Sequence, residues 1–323
     1  MKAGDSAIRI GLLREPELEE ARRIVNLAFG TFLGHPNPLE IMGDRDFVTP
    51  RWRAGNTKVL AARENGKLIG SNILTRWGSF AFFGPLTVLP EYWNRGVAKQ
   101  LLTATMKAFD SWGVRHTGLF TFPHSAKHVG LYQKFGYWPG SLTAIMRCKP
   151  ESAIRPVSGD AKPAVFLSTL GRSARDKAIT ACARLTDSHK KGLDLSEEIG
   201  AVLARHVGEV ILIYGRNGLD AFAVCMHGVG SEGGAKAVYA KFTAARGGGP
   251  GGANRFSQLL DAVEEYALER GAEVEAGVSL ACVDAFRRMR ARGYRVITQG
   301  VAMQQPNGDG FNRRSAYLIN DWR

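Results

Sequence analysis

The stretch of sequence that decides the fold is residues 86–102, LTVLPEYWNRGVAKQLL. An apolar run ends at Pro90, a short loop follows, and apolar residues then recur at helical spacing from Ala98. This order predicts a strand, a loop and a helix in immediate succession. Gly96 and Ala98 leave the loop backbone uncovered, so successive N–H groups can bind a phosphate at the positive end of the helix dipole.

A second motif, LYQKFGY, occupies residues 131–137. It places the phenol of Tyr132 in a predicted helix that ends near Gly136. Together the two motifs resemble the GNAT family of acetyl-CoA-dependent N-acyltransferases, whose loop reads Gln/Arg-x-x-Gly-x-Gly/Ala. This chain departs from the family at Trp93, where Gln or Arg is usual. Because backbone N–H groups provide most of the pyrophosphate contact, we expect that departure to weaken the resemblance only modestly.

The resemblance implies a set of functional residues. Those that would contact acetyl-CoA, the co-substrate, are Thr87, Val88, Asn94, Arg95, Gly96, Val97 and Ala98. A backbone N–H near Thr87 or Val88 would stabilise the oxyanion, and Tyr132 would be the catalytic acid that protonates the CoA thiolate. The implied reaction is direct attack by a primary amine of a small-molecule or peptide acceptor, without a metal. A non-catalytic acyl-CoA-binding or sensor protein is the alternative.

The general base is left open by the sequence. His116, His124 and His128 surround the fifth predicted strand and the helix after it, and a neutral imidazole suits proton abstraction near neutral pH. The spacing of His124 and His128 also fits two metal ligands on one helical face, but no third ligand is apparent. Surface histidines at a helix start that Ser125 caps are the ordinary explanation, and a water chain could take the proton instead.

The acceptor is expected to bind along residues 30–54, which form a long connection between the first helix and the second strand. Its side chains of interest are His35, Glu40, Asp44, Asp46 and Trp52. The carboxylates could hold a cationic amine while the aromatic ring shapes the pocket. They could equally cap a short helix or face solvent, and the sequence does not separate these two interpretations.

Periodicity predicts a mixed α/β first half in the order β-α-β-β-β-α-β-α-β, which is that of a GNAT domain. Asn65-Gly66 between two apolar runs predicts a β-hairpin, and Gly84-Pro85 predicts a bulge or a splayed strand. The predicted strands are residues 8–13, 57–63, 67–76, 79–89, 115–122 and 137–148, and the predicted helices are 15–29, 98–112 and 125–135.

The second half repeats the first. Gln100-Leu101-Leu102 recurs as Gln258-Leu259-Leu260, and Gly136-Tyr137 recurs as Gly293-Tyr294, at nearly the same offset. Met289 stands where the first half has Tyr132, and it has no proton to donate. The glycine-rich loop at 246–254 lacks the Arg-Gly-x-Ala step. We therefore predict two GNAT-like domains with a mixed α/β sheet: residues 1–148 bind acetyl-CoA and catalyse, 149–162 link, and 163–323 form a degenerate copy without activity of its own.

Composition sets the broad class. A chain of 323 residues with 45% hydrophobic and 23% charged residues is typical of a soluble protein of about two domains. The first residues do not form a signal peptide and the four cysteines make no paired motif, so we expect a cytoplasmic protein without a membrane segment. The net charge of +13 suits an anion such as coenzyme A; nucleic acid is disfavoured because no binding motif accompanies the dispersed basic residues. Whether the chain forms a homo-oligomer is left open.

Overall fold

The computed structural model describes residues 7–151, 163–247, 249–308 and 310–323. Most of the predicted linker, residues 152–162, therefore lies outside the described residues. The strands are β1 Arg9–Leu12, β2 Thr57–Glu64, β3 Lys67–Trp77, β4 Phe80–Val88, β5 His116–Thr121, β6 Trp138–Cys148, β7 Val165–Phe166, β8 Gly208–Gly215, β9 Gly218–Gly228, β10 Gly234–Ala245, β11 Glu273–Ser279, β12 Arg295–Gln305 and β13 Leu318–Asn320. The helices are α1 Leu18–Phe32, α2 Thr49–Trp52, α3 Val97–Trp112, α4 Ala126–Gln133, α5 Arg172–His189, α6 Ser196–Ala204, α7 Gly249–Leu268 and α8 Val283–Ala291.

The first half has the predicted order of elements, with one short helix, α2, added. Helix α1 begins three residues later than predicted because Pro16 lies in a short 3-10 turn, Glu15–Glu17, that precedes it. The hairpin at Asn65-Gly66 joins β2 to β3 as predicted. The predicted bulge is also present, since the pairing of β3 with β4 shifts register between Asn72 and Leu74, opposite Gly84-Pro85.

One mixed sheet runs through both halves. Its strand order is β1-β2-β3-β4-β5-β12-β6-β11-β10-β9-β8-β7, and β13 pairs with β10. Strand β12, from the second half, lies between β5 and β6, while β6, from the first half, lies between β12 and β11. Each half therefore completes the sheet of the other. The domain limits proposed from the sequence follow the internal repeat, whereas the sheet is continuous across them.

The two halves repeat each other strand by strand. In the first half, β4 pairs in parallel with β5 from Phe80↔His116 onwards, and in the second half β10 pairs with β11 from Ala237↔Glu273 onwards. Both members of the second pair lie 157 positions after those of the first (237 − 80 and 273 − 116). This shared register shows that the repeat in the sequence is a repeat of structure.

The apolar core is also shared between the halves. Trp77 of β3 lies against Phe82 of β4 and against Phe242 of β10, with ring centroids 4.7 and 5.5 Å apart, and all three rings are buried. A second apolar cluster lies under α1, α3 and α4 in the first half. The face of β4 that carries Phe82 is therefore covered by the second half, and the other face by its own helices.

A buried ion cluster joins the halves beside this core. The guanidinium of Arg51 donates to both carboxylate oxygens of Glu232, at 2.9 and 2.6 Å. The ammonium of Lys241 lies 2.8 Å from Glu232 and 2.9 Å from Glu198. Burial by itself raises the pKa of Glu232, but the charges of Arg51 and Lys241 outweigh it and lower that pKa to about 2.

This cluster predicts an acid-sensitive contribution to stability. Because the pKa of Glu232 in the folded protein lies below its ordinary value, its contribution is complete above about pH 5 and is lost as the pH falls toward 2. We expect Glu232→Gln to lower the free energy of unfolding at neutral pH by about 3 kcal/mol. That deficit should shrink in urea titrations below pH 5. Glu265 is exposed on α7, so Glu265→Gln is the matched control. A loss of stability in Glu232→Gln that does not change with pH would contradict the role of the Glu232 charge.

Candidate active site

Strands β4 and β5 pair only at their amino ends and then part, and we call the gap beyond the last pair the cleft. They pair from Phe80↔His116 to Phe83↔Leu119, and within the described residues no further pair joins them. Strand β4 continues beyond this point to Val88, and the bulge at Gly84-Pro85 marks where it turns away. The cleft therefore opens next to the loop that precedes α3.

The backbone of Val88 faces this cleft. The N–H of Leu89 donates to the carbonyl of Ile69, at 2.9 Å, so Leu89 faces β3. In an antiparallel ladder alternate residues face the partner strand, so Thr87 faces β3 as well and Val88 points its N–H and carbonyl the other way. The indole of Trp93 donates to the Val88 carbonyl at 2.7 Å. The geometry thus favours Val88 over Thr87 as the donor of an N–H to a ligand in the cleft.

The loop after β4 presents unused N–H groups. Asn94 and Gly96 have positive φ angles, 64° and 78°, which turn the chain sharply into α3. Gly96 is the N-cap of that helix, and no side chain of the described residues caps it. The N–H groups of Val97, Ala98 and Lys99 are those that a helix start leaves without intrahelical partners. Residues 94–96 are exposed, so a ligand can reach this turn.

A lysine that the sequence analysis did not single out lies beside this loop. The ammonium of Lys127 donates to the side-chain oxygen of Asn94, at 2.6 Å, and so links the first turn of α4 to the loop. Ser125 caps α4 as predicted, accepting a hydrogen bond from the N–H of His128 at 3.4 Å. The guanidinium of Arg95 instead bonds Glu64 at 2.7 Å, which leaves its backbone as the part available to a phosphate.

Tyr132 lies where the two strands separate. Its ring centroid is 5.7 Å from that of Phe83, the last paired residue of β4, and its side chain is 8% exposed. Burial raises the pKa of Tyr132 to about 12, although a hydrogen bond with Thr121 at the end of β5 opposes the rise. The phenol is therefore protonated throughout the physiological range.

The three histidines divide between the two ends of β5. His116 lies at the amino end, 3.1 Å from Gln304, and lines a separate cavity of about 280 Å³. His124 and His128 lie at the carboxyl end, where both rings contact Phe32 of α1, with centroids 6.1 and 4.8 Å away. Burial lowers the pKa of His128, aided by the neighbouring positive charges. Only His124 and His128 are therefore at the end of the sheet where the cleft opens.

The acidic residues expected to bind the acceptor are mostly engaged within the protein. Asp46 accepts hydrogen bonds from two N–H groups at the start of α2, at 2.8 and 3.0 Å, as the capping interpretation predicts. Asp44 accepts one from the N–H of Ala235 in the second half, at 2.8 Å. Trp52 donates to the carbonyl of Leu13. His35 and Glu40 remain exposed.

A family profile matches part of the first half of the chain. Residues 22–137 match the profile of the acetyltransferase (GNAT) family. This region of the first half is therefore similar to the GNAT acetyltransferases. The matched region contains the cleft, the loop at Gly96 and the motif at Tyr132. The match indicates an acetyltransferase. No curated protein matches the sequence.

Solved structures support the tandem GNAT fold. A putative acetyltransferase from Pyrococcus horikoshii is 16% identical, with a TM-score of 0.66, and the match covers 99% of this chain and 96% of that one. A tandem GNAT protein from the clavulanic acid biosynthesis pathway is 13% identical, with a TM-score of 0.56 and coverage of 94% and 100%. A GCN5-related N-acetyltransferase from Sphaerobacter thermophilus is 12% identical, with a TM-score of 0.55 and coverage of 94% and 98%. At these identities the likeness establishes the fold.

Two further observations concern the described residues as a set. Among them, no helix has the length and apolar character that crossing a membrane requires. They also contain no group of three or more His, Cys, Asp or Glu side chains arranged to hold a metal ion.

Proposed function

We propose that this GNAT protein transfers the acetyl group of acetyl-CoA to a primary amine of a small-molecule or peptide acceptor by direct attack. The observation that carries the proposal is the exposed, uncapped turn at Gly96, which lies beside a cleft lined by the free N–H of Val88. The turn suits a diphosphate, and the N–H suits a carbonyl whose oxygen becomes negative during the reaction.

Each group in the cleft has a role in the proposed reaction. N–H groups of residues 94–98 and the ammonium of Lys127 bind the diphosphate, and the N–H of Val88 donates to the thioester carbonyl. The amine nitrogen attacks the carbonyl carbon, the C–N bond forms, and the C–S bond breaks. A preorganised donor at the oxyanion contributes about 3 kcal/mol to transition-state stabilisation. Tyr132 donates its proton to the CoA thiolate, and the proton of the amine leaves to a base or to water.

The high pKa of Tyr132 is compatible with its role as an acid. A phenol with a pKa of about 12 stays protonated at neutral pH, so it can always donate its proton. Burial also raises the pKa of a thiol, because it penalises the thiolate in the same way. The thiolate that forms in the cleft is therefore a stronger base than free CoA in water, which favours its protonation by the phenol.

The pH dependence of the reaction follows from this assignment. Because the acid acts in its protonated form and its pKa is raised, its protonated fraction stays complete between about pH 6 and pH 10. We expect kcat/KM to rise with pH as the acceptor amine loses its proton, and then to level off without falling. Measurements of kcat/KM over this pH range, at constant ionic strength, test this expectation. A decline that begins near pH 8 or 9 would assign the acid to another group.

Lys127 is expected to contribute to cofactor affinity. Its ammonium is held beside the loop by its hydrogen bond to Asn94. A charge-assisted contact to phosphate is worth about 1.5–3 kcal/mol. We expect Lys127→Ala to raise the Kd for acetyl-CoA by about tenfold or more, measured by calorimetry. Lys107 is exposed on α3, several turns from the loop, so Lys107→Ala is the matched control. It should leave the Kd for acetyl-CoA unchanged. Equal effects of the two substitutions would indicate only a long-range charge effect.

A second candidate is a protein that binds acyl-CoA without turnover. It is favoured by one observation: Asp44 and Asp46 bond to backbone N–H groups, so the segment expected to hold a cationic acceptor has few free carboxylates. The two functions are distinguished by incubating the protein with acetyl-CoA and a broad panel of amines. Release of free CoA above the rate without protein supports the transferase. Binding by calorimetry without any release supports the sensor.

A further inference from the structure

The second half has its own counterpart of the cofactor cleft. A segment of the chain, residues 317–321, lies in it. Strands β10 and β11 pair only from Ala237↔Glu273 to Ala240↔Ala276 and then part, as β4 and β5 do. Beyond this point β13 pairs with β10, in the register Phe242↔Asn320, Thr243↔Ile319 and Ala244↔Leu318. In the first half, within the described residues, no strand pairs with the corresponding part of β4 on that side.

The contact at the end of this cleft corresponds to the contact proposed for the thioester. Ala245 lies 157 positions after Val88 (245 − 88), in the same register that relates the paired residues of the two halves. The N–H of Ala245 donates to the carbonyl of Tyr317, at 3.0 Å. The N–H that is free in the first cleft is therefore bonded to a carbonyl in the second.

The second cleft is also shaped to receive this segment. A Cβ at Gly277 of β11 would lie 2.2 Å from the Cβ of Asp321, so only glycine allows the segment to approach. The first half carries Phe120 at the equivalent position. Asp321 is held in turn by the phenol of Tyr239, at 2.6 Å. Residues 318–322 are all buried.

The same segment reaches the first half. Trp322 comes directly after the segment, and its indole ring lies over Gly118 of β5. A Cβ added at Gly118 would be 2.1 Å from that ring. The centroid of the indole ring is 5.6 Å from that of Phe311, which in turn is 5.6 Å from Phe80 of β4. The segment thus fills one cleft and packs under the strands that form the other.

We propose that residues 317–321 are a resident substitute for the cofactor in the second GNAT-like domain. The carbonyl of Tyr317 takes the hydrogen bond that the thioester carbonyl takes in the first domain, an analogy that rests on the proposed function. The second cleft is therefore closed to acyl-CoA, and the chain binds one acyl-CoA molecule. The second domain serves as a partner that supports the first.

Two measurements on the unaltered chain test this. Native mass spectrometry and calorimetry with CoA should give one molecule per chain. Hydrogen exchange should show residues 242–245, including the N–H of Ala245, protected without ligand and unaffected by CoA, and the N–H of Val88 protected only when CoA is added. Two CoA molecules per chain, or protection of residues 242–245 that depends on CoA, would overturn the proposal. No CoA binding at all, with residues 242–245 still protected, would refute the proposed function and leave the occupied second cleft standing.

A variant provides a second test. Gly277→Ala puts a Cβ into Asp321, so we expect exchange at residues 242–245 to speed up about tenfold or more. Gly200→Ala in α6 is the matched control, because a Cβ there meets no atom within 4 Å, and it should leave that exchange unchanged. Unchanged exchange in a folded Gly277→Ala protein would show that the segment does not occupy the cleft.

Discussion

Replacing Tyr132 by phenylalanine should lower kcat by about 100-fold or more, with little change in the Kd for acetyl-CoA. The substitution removes only the hydroxyl, and the ring keeps its contact with Phe83. Without that hydroxyl the thiolate must leave unprotonated or take its proton from water, which raises the barrier to C–S cleavage. Steady-state rates with a responsive amine, together with calorimetry for acetyl-CoA, provide the two values.

Tyr137 supplies the control for this experiment. Its ring lies 5.5 Å from Phe83 in the same apolar cluster, and burial raises its pKa as well. Its hydroxyl approaches Met106 and Thr117, and Thr117 belongs to the part of β5 that is paired with β4. Tyr137→Phe therefore removes a buried hydroxyl away from the cleft, and kcat should change by less than about threefold. Equal losses in both variants would point to packing, and unchanged kcat in Tyr132→Phe would remove Tyr132 from the mechanism.

Replacing Gly96 by valine should abolish measurable acetyl-CoA binding. The φ angle of Gly96 is 78°, a region that a β-branched residue rarely adopts, and a side chain there would cover the N–H groups meant for the diphosphate. A Cβ at this position meets no protein atom within 4 Å, so the fold itself has room for it. We expect the Kd to rise by at least about 100-fold, measured by calorimetry.

A substitution at Gly113 distinguishes the effect of backbone strain from the effect of a blocked binding site. It lies at the other end of the same helix with a φ angle of 62°, and a Cβ there also meets no atom within 4 Å. Gly113→Val should therefore cost similar stability, about 1–3 kcal/mol, while leaving the affinity for acetyl-CoA unchanged. Retained affinity in Gly96→Val would show that the diphosphate binds elsewhere.

Most elements of the first half could be predicted from the sequence because they depend on neighbouring residues. The hairpin follows from Asn65-Gly66, the bulge from Gly84-Pro85, and the cap of α4 from Ser125. Each of these signals acts over a few positions, through backbone conformation or one hydrogen bond. The repeat was visible for a similar reason, since a duplicated chain keeps its apolar spacing.

Parts of the site could not be predicted because their partners are far apart in the chain. Lys127 gave no signal until α4 was seen beside the loop at Asn94. No local pattern singled out Arg51, which is buried against Glu232 and donates to the carbonyl of Gly84 at 2.7 Å. Asp44 could bind an acceptor or the backbone, and its bond to the distant N–H of Ala235 decided for the backbone.

The sequence by itself determined most strands and helices of the first half, the turn at Gly96 and the duplication. Only the tertiary structure decided that β12 and β6 are exchanged between the halves and that β13 fills the second cleft. The physical reason lies in the β-strand itself. Alternating apolar residues specify that a segment is extended and which face it buries, but backbone hydrogen bonds are the same for every partner. The choice of neighbour is therefore made by packing and by close approaches such as that of Asp321 to Gly277, which no local pattern records.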